Sequence, residues 1–74
     1  MDGYRVDREA VKKAATRLGW TRTRVAQEAT VSKSTMIAFW NDRHVSMKSK
    51  RKIVEAVGLL WEETLIELPE EATA

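Results

Sequence analysis

The feature that most limits the fold of this chain is a pair of helical segments separated by only three residues. Segments 22–29 and 33–40 each place apolar side chains three or four positions apart, which is the period of an amphipathic helix. The residues between them, Thr30, Val31 and Ser32, are too few for a flexible loop. The spacing therefore predicts two short helices that pack closely across a tight turn.

Residues that favour helix starts and ends divide the rest of the chain in the same way. A polar side chain that accepts a hydrogen bond from a free backbone N–H favours a helix start, and glycine favours a helix end. Such starts occur at Asp7, Thr21, Ser32 and Ser46, and such ends at Gly19 and Gly58. These signals predict four helices, and we expect a short fifth helix from about Trp61 that stops before Pro69.

No segment shows sustained two-residue alternation, so no strand is expected. The predicted fold is all-α: a compact five-helix domain over residues 1–68, followed by a frayed acidic tail at residues 69–74. The three tryptophans, Trp20, Trp40 and Trp61, are expected in the core or at its edge, because aromatic side chains bury large areas.

Composition narrows the class of protein further. The 74 residues have room for one domain, and they include no cysteine that could form a disulfide or a thiolate metal site. The N-terminal residues are charged, and no stretch approaches the roughly 18 apolar residues of a membrane span. We therefore expect a cytoplasmic protein that does not cross a membrane.

The net charge of +2 conceals a strong asymmetry along the chain. Residues 1–52 contain all 13 lysines and arginines but only 5 acidic residues, so their net charge is +8. Residues 53–74 contain 6 glutamates and no base, so their net charge is −6. Because the basic part includes both short helices, the charge distribution favours a polyanionic partner for them.

Two short helices joined by a tight turn form the arrangement that lets the second helix enter a DNA major groove. Residues 21–40, TRTRVAQEATVSKSTMIAFW, resemble the helix-turn-helix of the Cro and lambda-repressor-like (XRE-type) regulators. The likeness covers about residues 7–66, since AVGLLWEETL resembles the glycine-containing junction before that family's fifth helix. The resemblance implies a five-helix lambda-repressor-like domain that binds double-stranded DNA as a small transcriptional regulator.

Within the helix-turn-helix, the sequence departs from this family at two places, and a third departure is KSKRK at residues 48–52, where the family's fourth helix normally continues its apolar stripe. Thr30 stands where the family usually has glycine, at a position that tends to need a left-handed backbone. Ile37 and Ala38 stand where the family commonly has polar or basic side chains.

The patterns GW, AxxAxVSxxT, FW and AVGLxWEE also resemble a cyanobacterial-style variant. That likeness implies an alternative function, in which the domain is an adaptor that contacts a protein partner in a signalling or conflict-system assembly.

If the chain binds DNA, base edges would be contacted from the recognition helix, residues 32–40, and from the residue after it. The side chains expected to point away from its anchors, Met36 and Phe39, are Ser32, Lys33, Ser34, Ile37, Ala38 and Asn41. Lysine can donate to guanine, asparagine can contact adenine, and apolar side chains can contact a thymine methyl group. Phosphate contacts would fall to the flanking basic residues Arg22, Arg24, Arg43, His44, Lys48, Lys50 and Arg51.

Catalytic and metal-binding patterns are weak in this sequence. His44 is the only histidine, and the acidic pair Glu62 and Glu63 would diverge on a helix because the two residues are adjacent. Three glycines in the whole chain form no phosphate-binding loop. We expect no enzyme activity, no metal site and no cofactor.

The C-terminal segment around Trp61 is unusually apolar, with Leu59, Leu60, Leu65 and Ile66 nearby in sequence. A homodimer through a helix here is therefore a further hypothesis. Such a dimer would place two recognition helices one DNA turn apart, about 34 Å.

Overall fold

The computed structural model describes residues 4–67, which are mostly helical. Four α-helices occur where the capping signals predict them: α1 (Arg8–Leu18), α2 (Arg22–Ala29), α3 (Lys33–Trp40) and α4 (Met47–Ala56). Each has the expected N-cap, with backbone N–H donors 3.1 to 3.3 Å from the side-chain oxygens of Asp7, Thr21, Ser32 and Ser46. Local capping therefore sets the start of all four helices.

The prediction of a fifth helix from about Trp61 is wrong. Trp61–Thr64 form a 3-10 turn, and the chain then extends into the short strand β2 (Leu65–Glu67). This strand pairs in antiparallel register with β1 (Tyr4–Val6), so that Val6 lies opposite Leu65. The Thr64 hydroxyl donates to the Trp61 carbonyl at 2.7 Å, a local side-chain bond that competes with continued helix. Three-residue strands are too short to show alternation, which is why the sequence did not reveal them.

The core forms where α2 packs against both α3 and α4. Its largest fully buried apolar side chains come from all four helices: Val11, Val25, Met36, Phe39, Ile53 and Val54. The three tryptophans are half-buried against this cluster, as expected for residues at the edge of the core. Among residues 4–67, no helix has the length and hydrophobicity needed to cross a bilayer.

The turn between α2 and α3 has the backbone that the sequence predicts. Thr30 adopts φ 58° and ψ 46°, in the left-handed region that β-branched residues rarely occupy. The backbone N–H groups of Thr30 and Val31 donate to the carbonyls of Gln27 and Ala26, at 3.3 and 3.1 Å, and so close the end of α2. Val31 packs against the core, which fixes α3 relative to α2.

Candidate nucleic-acid interface

The N-terminal end of α3 is exposed, and its first residues differ in what they can still bind. Lys33 and Ser34 are exposed, as is Asn41 just after the helix. The Ser32 hydroxyl accepts from the Thr35 N–H at 3.1 Å and donates to the Thr35 hydroxyl at 2.8 Å. Ser32 therefore serves first as the N-cap, and its hydroxyl also lies 3.3 Å from that of Ser34, so Lys33 and Asn41 are the freer polar groups.

Ile37 and Ala38 are less outward than the sequence predicts. Both side chains are half-buried, and Ala38 packs against the core cluster. Only part of each apolar surface is therefore available to a partner. Since neither side chain can donate a hydrogen bond, this part of α3 offers shape and apolar contact alone.

Six of the seven predicted phosphate contacts are exposed: Arg22, Arg24, Arg43, His44, Lys48 and Arg51. Two of these six are engaged within their own helices. Arg24 pairs with Glu28 at 2.9 Å and lies 5.1 Å from the centre of the Trp20 ring, and Arg51 pairs with Glu55 at 3.1 Å. Exposed pairs of this kind are weak, so both arginines can still exchange their carboxylate for another anion.

Lys50 stands apart from the other predicted phosphate contacts. It lies on the same face of α4 as the buried residues Ile53 and Val54, and its side chain is half-buried. Burial, together with the nearby charge of Arg8, lowers the pKa of Lys50 from its usual value. Lys50 lines a charged pocket with Arg5, Arg8 and Asp42 among others, and it is less exposed than the other predicted phosphate contacts.

A groove of about 390 Å³ separates the start of α3 from the start of α4. It is lined by Ser34, Thr35, Ala38, His44, Val45, Ser46 and Ser49. The sequence prediction did not include the Thr35 and Ser49 hydroxyls. The sequence feature that could have indicated Thr35 and Ser49 is the N-cap spacing. Each lies three positions after a capping serine, Ser32 or Ser46, and its hydroxyl bonds to that serine.

A second, smaller cleft of about 220 Å³ lies between α2 and α3. Ala26, Val31 and Met36 supply its apolar side chains, and Arg22 and Lys33 are the charged residues that line it. The cleft therefore combines an apolar surface with two exposed cations on one side of the α2–turn–α3 pair.

Among the side chains that the structure describes, residues 4–66, no three of His, Cys, Asp or Glu converge as a metal site would require. Comparison with known proteins adds no identification, because no family model, no curated protein and no solved structure matches this chain.

Proposed function

We propose that this chain binds double-stranded DNA as a small transcriptional regulator, with the recognition helix, residues 32–40, in the major groove. The observation that carries the proposal is the α2–turn–α3 pair, which leaves the N-terminal end of α3 exposed beside basic side chains. The core anchors Met36 and Phe39 hold the opposite face of α3. A helix presented in this way is suited to enter a major groove.

Charge supports the same assignment. Arg22, Arg43, His44 and Lys48 are exposed, and no ion pair within 4.0 Å joins any of them to another side chain of residues 4–66. Arg22 lies in α2, Arg43 and His44 lie in the loop that follows α3, and Lys48 lies in α4. These residues therefore flank the recognition helix on both sides in sequence. Exposed basic side chains of this kind suit contacts with a phosphate backbone.

The residues of α3, with Asn41 just after it, divide by role in this proposal. Lys33 and Asn41 are the groups best able to hydrogen-bond base edges, and Ser34 is a third. Ile37 and Ala38 add a small apolar contact, which suits a thymine methyl group. With so few donors, we expect modest discrimination between base sequences.

A backbone NMR titration with an arbitrary duplex tests the surface directly. The amides of Arg22, Lys33, Arg43 and Lys48 should shift on addition of DNA, whereas that of Lys13, on the exposed face of α1, should not. Shifts confined to α1, or no shifts at low salt, would contradict the proposed orientation.

The apolar cleft between α2 and α3 favours a second candidate function, a protein-interaction adaptor. Its apolar side chains and its two cations, Arg22 and Lys33, suit an acidic segment of a partner protein with an apolar anchor. An adaptor of this kind would bind its partner without the steep salt dependence of DNA binding.

We also propose dimerisation, but through a surface that differs from the C-terminal helix expected from the sequence. Residues 61–67 do not form the helix proposed for this interface, because Trp61–Thr64 form a 3-10 turn followed by β2. The exposed apolar side chains that a second copy could cover include Leu60, which is 63% exposed, and Tyr4, which is 49% exposed.

A further inference from the structure

Arg8 differs from the other basic residues of this basic chain because its side chain is only 15% exposed. It is the first residue of α1, and its guanidinium lies 4.8 Å from the centre of the Phe39 ring. Its Nη1 donates to the carbonyls of Phe39 at 2.7 Å and Ala38 at 3.3 Å, and its Nη2 donates to the Arg43 carbonyl at 2.9 Å. A planar fork of donors is suited to holding several acceptors at once.

These carbonyls lie where α3 ends and the following turn begins. The last carbonyls of a helix lack intrahelical partners and carry its negative dipole end, which a cation stabilises. Within α3 the last turn has no basic residue of its own. Arg8 supplies this charge from a different helix, more than 30 residues away in sequence.

Arg8 also contacts the strained turn itself. Asp42 has φ 60°, a left-handed backbone, and its carboxylate lies 3.8 Å from Arg8 Nε. The Arg43 N–H donates to the Ala38 carbonyl at 2.8 Å, so both backbone groups of Arg43 are held. The Arg43 side chain is attached to this fixed backbone, and the His44 side chain follows one residue later.

We infer that Arg8 is a positioning residue for the nucleic-acid interface: it holds the end of α3 and the turn so that Arg43 is directed toward a phosphate. This inference rests on the proposed function. Arg8 is largely covered and bonded to backbone carbonyls, so it acts through Arg43 rather than by touching DNA itself.

The test combines Arg8→Met with Arg43→Gln in a double-mutant cycle of duplex binding against salt. Each single variant should make the negative slope of log K against log salt shallower by about 0.9, the contribution of one phosphate contact. The affinity at 0.15 M salt should fall by about fivefold. The double variant should bind like Arg43→Gln alone, because the two changes remove the same contact. Additive losses would overturn the inference, since Arg8 would then contribute independently of Arg43.

Two further variants guard against a general effect on folding or charge. Arg17→Met removes the same charge from the last turn of α1 and should leave the slope unchanged. Arg8→Lys keeps the charge without the fork, and at a temperature where it is fully folded it should still show most of the loss. Full rescue by Arg8→Lys would mean that charge alone matters, and would overturn the inference.

Amide hydrogen exchange in the free protein separates this inference from the proposed function. Arg8→Met should speed exchange of the Arg43 amide about tenfold or more, as expected when a charged hydrogen bond is lost, while Arg17→Met should not. Unchanged exchange in Arg8→Met would overturn the positioning role of Arg8 whether or not the protein binds DNA. Faster exchange without any DNA binding would support the hold of Arg8 on the turn and contradict the proposed function.

Discussion

The left-handed backbone of Thr30 gives the most specific prediction about stability. A residue with a Cβ in this region costs roughly 1–2 kcal/mol, whereas glycine occupies it freely but loses about 0.5–1 kcal/mol more conformational entropy on folding. Thr30 is exposed at φ 58°, so its replacement removes little packing. Thr30→Gly should therefore raise the free energy of unfolding by roughly 0.5–1 kcal/mol, or by about 2–8 °C in Tm.

Urea and thermal unfolding followed by far-UV circular dichroism measure this gain. Thr23→Gly is the matched control, because Thr23 is an exposed threonine within α2, where glycine lowers stability by a few tenths of a kcal/mol. The two variants should shift the unfolding midpoint in opposite directions. If Thr30→Gly is no more stable than the natural chain, or falls as Thr23→Gly does, the argument from backbone strain is refuted.

Three other predictions concern charge and association. Lys50→Met should raise stability at neutral pH, because burial and Arg8 lower the pKa of Lys50 and the folded state binds its proton less tightly than the unfolded chain. The free energy of unfolding of the natural chain should then rise with pH between the lowered pKa and 10.5. The difference in free energy of unfolding between Lys50→Met and the natural chain, measured by urea unfolding, should therefore shrink across that range. A constant difference would contradict this reasoning. Replacing Lys33 with alanine should change the preference among duplex sequences, whereas Lys48→Gln should weaken all duplexes alike and flatten the salt slope by about one unit; equal effects would refute the assignment of groove and backbone roles. Leu60→Glu should reduce any concentration-dependent dimer in sedimentation velocity, and a dimer that survives it unchanged would lie elsewhere.

Local signals allowed much of this fold to be predicted. The caps at Asp7, Thr21, Ser32 and Ser46 each bond within three residues, so short stretches of sequence contain all the information for those helix starts. The left-handed backbone at Thr30 was expected from the family resemblance, because Thr30 stands where that family usually has glycine.

Contacts between distant residues were the part that sequence patterns did not reveal. The pairing of β1 with β2 joins residues about 60 positions apart, and neither three-residue strand has a periodicity of its own. The role of Arg8 at the end of α3 is hidden for the same reason. Lys50 was predicted as a phosphate contact, and its half-burial on the same face of α4 as Ile53 depends on packing that the sequence pattern did not reveal.

The salt dependence of duplex binding tests most directly whether the proposed interface around α3 contacts the DNA backbone. Binding of a labelled duplex, followed by fluorescence anisotropy between 50 and 200 mM salt, reports the number of phosphates contacted. With about five contacts the slope of log K against log salt should be near −4.5, a loss of roughly 500-fold across this range. A flat slope, or no saturable binding at 50 mM salt, would contradict the account.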